Sequence, residues 1–216
     1  MVSSVYEQAA QHFDLDDGQI DALRKMITPP DGWEEQLFER RGHGPDINIA
    51  FRHAAQPKAM VLVAQGRAQY AREWIEFSDH MADEGYSFVT YDPQGQGLSS
   101  AHFADRRHHI YNYGEEVQDF EFVTKILKKD PRFKGIPWFV VGHSKGGNTV
   151  LRYLDHHRPR HPFNAMAQIS PATGILYPNK FLEYVNRPLL MGVTLLGLDH
   201  RYVFDITGPH SLARYK

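Results

Sequence analysis

The sequence of 216 residues contains no cysteine. This absence excludes disulfide bonds, thiolate nucleophiles and zinc sites built on cysteine. The net charge is only -2, so the composition gives no electrostatic argument for binding to nucleic acid. We therefore expect neither a redox cysteine centre nor a nucleic-acid partner.

Long hydrophobic runs are also missing. The longest candidate, Leu189–Leu198, covers ten positions, whereas a helix that spans a bilayer needs about 20 apolar residues. The segment Met1–Asp17 is polar and acidic, and it lacks the basic and apolar regions of a secretory signal. These features predict a cytoplasmic protein.

What is present is typical of a globular α/β protein, with 42% hydrophobic residues. Continuous apolar runs and alternating patterns predict strands, whereas apolar residues spaced three or four apart predict helices. The predicted strands are Asp46–Arg52 (half-buried), Ala59–Ala64, Ser87–Tyr91, Trp138–Val141 and Asn164–Ser170, and the predicted helices lie in residues 1–28, Tyr70–Glu84, Tyr113–Lys129 and Asn148–His157. Alternating strands and helices predict a mostly parallel sheet with helices on both faces.

The pentapeptide Gly142–Gly146 reads Gly-His-Ser-Lys-Gly and lies between a predicted strand and a predicted helix. A G-x-S-x-G sequence in this context predicts a nucleophile elbow, a sharp turn that exposes the serine hydroxyl near a helix N-terminus. Ser144 is therefore the candidate nucleophile. An oxyanion hole would use two backbone N–H groups, that of Lys145 after the nucleophile and that of Arg67 after the first buried strand. A plain tight turn at Gly66 is the alternative for the second position.

Four stretches resemble the α/β-hydrolase superfamily, and in particular its lysophospholipase and monoacylglycerol lipase-like branch. They are Gln65–Arg67, Gly85–Ser99 with its Asp-Pro-Gln-Gly-Gln-Gly-Leu-Ser loop, Gly142–Gly147 and Ile169–Ile175. The sequence departs from the family pattern at Gln65, at Pro93-Gln94 and at Lys145, whose backbone N–H we expect to matter more than its side chain. The resemblance implies an N-terminal helical segment (1–44), an incomplete α/β-hydrolase core (45–175) and a partial helical cap (176–216).

A serine nucleophile needs a histidine base and a carboxylate that orients it, and in this fold they follow the serine in the order acid, then histidine. Only 72 residues follow Ser144, which predicts a truncated hydrolase whose acid and base lie beyond residue 216. His200 and His210 are weaker candidates for the base. The predicted function is a serine ester hydrolase of lysophospholipase or monoacylglycerol lipase type that forms an acyl-enzyme at Ser144. The alternative is an incomplete fragment or pseudo-hydrolase that binds an acyl ligand without turnover.

We expect no cofactor and no metal. The histidine-rich segments Arg106–His109 and His156–His161 lack carboxylates at ligand spacing and are interpreted as solvated. The resemblance implies a small lipid ester as substrate. For Leu189–Leu198 two interpretations stay open, a lid helix that contacts a lipid tail and brings the cap against a membrane surface, and an ordinary core helix.

Overall fold

The computed structural model describes residues 31–40, 45–100 and 113–174, together with a few isolated positions: Asp16, Gly18, Pro29, Tyr184, Val185, Pro188, Gly192 and Leu195. The strands are β1 (Trp33–Phe38), β2 (Ile47–Arg52), β3 (Ala59–Ala64), β4 (Tyr86–Tyr91), β5 (Trp138–His143) and β6 (Ala165–Ile169). The helices are α1 (Ile75–Asp83), α2 (Tyr113–Lys129) and α3 (Lys145–His156), with short 3-10 helices at Ala71–Trp74, Gly97–Ser100 and Pro131–Phe133. Residues 1–173 form one compact unit and residues 174–216 a second.

The six strands form one sheet in the order β1-β2-β4-β3-β5-β6. The four strands from β4 to β6 are parallel, whereas β1 and β2 join antiparallel at one edge. Each parallel crossover carries a helix, as the alternating sequence pattern predicts. The mostly parallel sheet of the predicted fold class is thus confirmed.

Helices cover both faces of this sheet, because the strands are apolar on both sides. The larger core lies under α2 and α3, where Phe120 and Val150 pack against strand residues such as Leu62. The smaller core lies on the opposite face, where Phe88 and Val63 pack near Ile75 of α1. Strand β3 is buried at all six positions, which places the segment that follows it at the centre of the sheet's carboxyl edge.

Two strand predictions need correction. No strand is predicted before Asp46, whereas the structure has β1 at Trp33–Phe38. The sequence of β1, Trp-Glu-Glu-Gln-Leu-Phe, shows no regular alternation and so gives no strand signal. Strand β2 is not half-buried but buried at five of its six positions. The reason is that Asn48, on the face expected to be polar, hydrogen-bonds the buried Asp92 carboxylate at 2.9 Å.

The remaining element predictions within the described segments are confirmed with small shifts at their ends. The predicted helix in residues 1–28 lies almost entirely outside the described residues and stays a prediction. Helix α2 has the predicted bounds, whereas the predicted helix Tyr70–Glu84 begins as a 3-10 turn before α1. Of the predicted cap, five isolated residues from Tyr184 to Leu195 are described, and each is helical. The cap itself therefore stays a prediction. In the portions of the chain that are described, no helix is long and apolar enough to cross a membrane.

Candidate active site

Ser144 occupies the sharp turn between the end of β5 and the first residue of α3. Its backbone has φ 51° and ψ -118°, a conformation that side-chain-bearing residues rarely adopt. Three main-chain hydrogen bonds hold it there. The Ser144 N–H donates to the Ile169 carbonyl at 2.9 Å, and the Ser144 carbonyl accepts from Ala172 at 2.8 Å and from Gly147 at 3.1 Å. The half-buried side chain makes no capping bond to the helix, so its hydroxyl is not used to stabilise α3.

The glycines beside Ser144 are required by close backbone approach. A Cβ on Gly146 would lie 2.0 Å from the carbonyl oxygen of Ala64, at the end of β3. A Cβ on Gly142 would lie 2.6 Å from the Gly147 Cα across the turn. Both obstacles are main-chain atoms, which cannot rotate away. The glycines thus allow α3 to begin directly against the central strand.

The loop after β3 lies against the same turn. A Cβ on Gly66 would be 3.2 Å from the Ser144 Cβ, so this loop and the candidate nucleophile are neighbours. The Gly66 N–H donates to Gln69 Oε1 at 2.7 Å, and the Ala68 N–H donates to Gln96 Oε1 at 3.2 Å. Between them, the N–H of Arg67 has no hydrogen-bond acceptor within the described segments.

The N–H of Lys145 is equally free, since it lies at the first residue of α3 and donates to no acceptor in the part of the chain that is described. The first N–H groups of a helix have no intrahelical acceptor and attract negative charge. The two N–H groups named from the sequence as an oxyanion hole therefore belong to the residue after Ser144 and to the neighbouring loop, and neither has a protein acceptor among the described residues.

Asp92, at the carboxyl end of β4, organises this loop from beneath. Its carboxylate is buried and accepts four hydrogen bonds, from Gln65 at 3.1 Å, Ala71 at 2.7 Å, Leu98 at 3.0 Å and Asn48 at 2.9 Å. Burial raises the pKa of this carboxyl, and the hydrogen bonds oppose the shift. Because Gln65 and Ala71 stand at the two ends of the loop, Asp92 closes it into a fixed shape.

The side chain of Lys145 does more than the sequence indicates. It is 7% exposed, and its Nζ lies 2.5 Å from Glu116 Oε1 on α2 and 3.1 Å from Gln96 Oε1. These side-chain contacts are additional to the backbone role that the sequence predicts for Lys145. The available signal was a lysine at an otherwise buried helix start, together with Glu116 on the apolar side of an amphipathic helix.

His143 precedes the candidate nucleophile, but its contacts are with the loop after β3 and not with the Ser144 hydroxyl. Its Nδ1 lies 2.7 Å from Gln69 Oε1, the same oxygen that accepts from Gly66. The ring also packs edge-on against Trp74, with centroids 5.9 Å apart. His143 therefore supports the loop after β3.

The predicted bases His200 and His210 lie outside the described residues. Within segments 31–40, 45–100 and 113–174, no histidine nitrogen is hydrogen-bonded to the Ser144 hydroxyl. His157 stacks on Tyr153 at the far end of α3. The described chain also holds no cluster of three or more His, Asp or Glu residues that could bind a metal ion.

Comparison with known proteins agrees with this geometry. A family model described as serine aminopeptidase, S33, matches residues 55–201. The chain is 28% identical over 167 residues to a probable lysophospholipase L2 of Haemophilus influenzae, covering 74% of this chain and 50% of that protein. It is 29% identical over 125 residues to a monoglyceride lipase of Saccharomyces cerevisiae, covering 56% and 38% of the two chains.

Solved structures give the same fold. The crystal structure of a soluble variant of the Saccharomyces cerevisiae monoglyceride lipase with a substrate analogue matches with a TM-score of 0.58 and 27% identity, over 76% of this chain and 50% of that one. A thermostable carboxyl esterase from Bacillus coagulans matches with a TM-score of 0.59 at 17% identity, over 77% of this chain and 55% of that chain, which speaks for the fold alone. The chain spans half or less of the length of these lipase and lysophospholipase relatives.

Proposed function

The chain belongs to the serine aminopeptidase S33 family, and on that premise we propose that the protein hydrolyses lipid esters through an acyl-enzyme formed on Ser144. The observation that carries the proposal is the backbone of Ser144, held at φ 51° at the end of a central parallel strand. Strain of this kind costs about 1–3 kcal/mol and persists where the surrounding structure enforces it, most often at functional sites. The Ser144 hydroxyl makes no capping bond to α3, which supports its availability as a nucleophile.

The proposed reaction begins when the Ser144 oxygen attacks the ester carbonyl carbon as a base removes its proton. The carbonyl oxygen becomes an alkoxide, which the N–H groups of Arg67 and Lys145 bind. Such donors act because they are oriented before charge develops, and loss of one typically costs about 100-fold to 1,000-fold in rate. Collapse of the intermediate expels the alcohol, which takes the proton from the base, and water then hydrolyses the acyl-enzyme.

The base is proposed to be a histidine outside the described residues. His200 and His210 are the candidates within this sequence, and substitution of each by alanine would test them first. The substrate class is proposed to be monoacylglycerol or lysophospholipid, with the cap enclosing the acyl chain and contacting the lipid surface. The printed names of the relatives support an ester of this kind. The competing function, acyl binding without turnover, is favoured by the lack of a histidine on the hydroxyl in the described segments.

A fluorophosphonate probe tests the nucleophile directly, because it labels only an activated serine. We expect labelling of the wild type that is lost in Ser144→Ala, with unchanged circular dichroism in the variant. Hydrolysis should then be compared for a monoacylglycerol, a lysophosphatidylcholine and an aminoacyl p-nitroanilide. Absence of labelling in a folded wild type would favour the binding protein, and cleavage of the anilide alone would make the protein an aminopeptidase.

A further inference from the structure

The residue that follows the candidate nucleophile, Lys145, forms a buried ion pair. Lys145 Nζ and Glu116 Oε1 are 2.5 Å apart, with side-chain exposures of 9% and 2%. The second oxygen of Glu116 accepts from Thr149 Oγ1 at 3.3 Å, one turn further along α3. The pair therefore fastens the first turn of α3 to helix α2.

The same ammonium group reaches a second element. Lys145 Nζ donates to Gln96 Oε1 at 3.1 Å, an oxygen that also accepts the Ala68 N–H at 3.2 Å. The amide nitrogen of Gln96 donates to the carbonyls of Gly66 at 3.2 Å and Gln69 at 3.0 Å. Gln96 is 2% exposed, so these contacts form in the protein interior. Gln96 thus hydrogen-bonds the loop after β3 on both sides of Arg67, at Gly66 and at Ala68.

These contacts connect the two backbone donors through one residue. Lys145 supplies one N–H from its main chain, and its side chain holds, through Gln96, the loop that supplies the other. We propose that the Lys145 side chain is a positioning residue that sets the separation between the Lys145 and Arg67 N–H groups. This inference rests on the proposed ester hydrolase function.

The proposed role is geometric, because Glu116 neutralises the ammonium charge at 2.5 Å. A buried ion pair is weak evidence for stability, since apolar residues of similar volume often replace one at no cost. An apolar pair would keep α2 and α3 packed but could not hydrogen-bond Gln96. The hydrogen bond to Gln96 is therefore the contact that distinguishes the lysine from an apolar residue of similar volume.

The test separates stability from positioning with two variants. Lys145→Met leaves Glu116 buried without its partner and should destabilise the fold, whereas Lys145→Met with Glu116→Leu should regain stability in urea unfolding. We expect both variants to lower kcat for a p-nitrophenyl ester about 10-fold to 100-fold with little change in KM, since misplaced oxyanion donors act on the transition state. The control is Lys125→Met, which removes an exposed ion pair on α2, the helix that carries Glu116, and should change neither stability nor kcat.

Gln96→Leu supplies a second line of evidence without leaving a buried charge, because Lys145 keeps Glu116. Its loss of kcat should be similar, and combining it with Lys145→Met should add little, since residues acting through one contact are not additive. Additive losses, or a double variant Lys145→Met/Glu116→Leu with wild-type kcat, would overturn the proposal.

A readout that needs no activity completes the experiment. Hydrogen exchange of the Ala68 amide, which bonds to Gln96, should become about 10-fold faster in Lys145→Met/Glu116→Leu, because local opening of the loop becomes easier. If the fluorophosphonate probe does not label the wild type but exchange is still faster in the double variant, the ester hydrolase function is refuted and the positioning role is retained. A labelled wild type with unchanged exchange and unchanged kcat in the variants would refute the positioning role alone.

Discussion

Substitution of Gly146 by alanine tests whether the turn at Ser144 depends on contact between main chains. The added methyl group would lie 2.0 Å from the carbonyl oxygen and 2.4 Å from the carbonyl carbon of Ala64. It would also lie 2.6 Å from the carbonyl oxygen of Gln65. Comfortable carbon contacts need about 3.5 Å, so the start of α3 would have to move by more than 1 Å, as an order of magnitude.

The energetic effect is the difference between two opposing contributions. Overpacking of a well-packed site costs about 1–3 kcal/mol, and the upper end applies to Gly146 because no side-chain rotamer can absorb the shift. Alanine within a helix returns about 1 kcal/mol relative to glycine. We expect Gly146→Ala to lower the free energy of unfolding by about 2 kcal/mol.

Urea unfolding measures this change, and the rate of fluorophosphonate labelling measures its effect on the site. A displacement of about 1 Å at a reacting group can cost about 100-fold in rate. Labelling of Gly146→Ala should therefore be slower than that of the wild type even at urea concentrations well below the unfolding midpoint, where the variant is folded. Gly174→Ala is the matched control, because a Cβ there meets no atom of the described residues within 4 Å. The stability of this variant should change by less than about 1 kcal/mol. A Gly146→Ala protein with wild-type stability and labelling would refute the packing argument.

Three further predictions concern Asp92, a buried ion pair between Arg40 of the loop after β1 and Asp119 of α2, and the strain at Ser144. Asp92→Asn should lower the free energy of unfolding in urea by about 3 kcal/mol. The reason is that the new amide N–H would face backbone N–H groups that now donate to the carboxylate. An unchanged unfolding midpoint would contradict this. Burial raises the pKa of Asp119 to about 6, against the opposing effects of the Gln94 N–H and of Arg40. The free energy of unfolding should therefore fall by about 3 kcal/mol as pH rises from about 4 to above 6. Asp119→Asn should flatten that pH dependence, and an unchanged slope would be the contrary result. Ser144→Gly should be about 1 kcal/mol more stable than Ser144→Ala in thermal unfolding, because glycine accepts the positive φ, and equal stabilities would show that the turn is unstrained.

Most of the parallel sheet was predictable from the sequence, because continuous apolar runs such as Ala59–Ala64 can only be buried on both faces. Helix α2 was predictable for the complementary reason, since its apolar residues recur on one side from Val117 to Leu127. Strand β1 was not, because its place depends on main-chain pairing with β2 and its side chains carry almost no periodic signal.

The nucleophile turn could be predicted, but the polar contacts around it could not. Gly142–Gly146 is a local motif, so its geometry follows from adjacent residues. The contacts of Lys145 join residues 29 and 49 positions apart, and only the folded arrangement of α2 and the loop after β4 shows that they meet. A buried lysine also departs from the usual preference of that residue for solvent, which is why the sequence gives its side chain less weight than its backbone N–H.

The strand at the sheet edge is part of the site, although it contributes no reactive group. Ile169 of β6 accepts the Ser144 N–H, and Ala172 beyond it donates to the Ser144 carbonyl. These two bonds oppose the return of Ser144 to an ordinary negative φ. Yet β6 is largely exposed, with Met166 at 41% and Ile169 at 44%, and exposed edge strands open locally at low cost. Since the carbonyl that accepts the Ser144 N–H belongs to the last residue of this strand, any partner or segment that covers β6 would stabilise the geometry of Ser144 as well as the sheet.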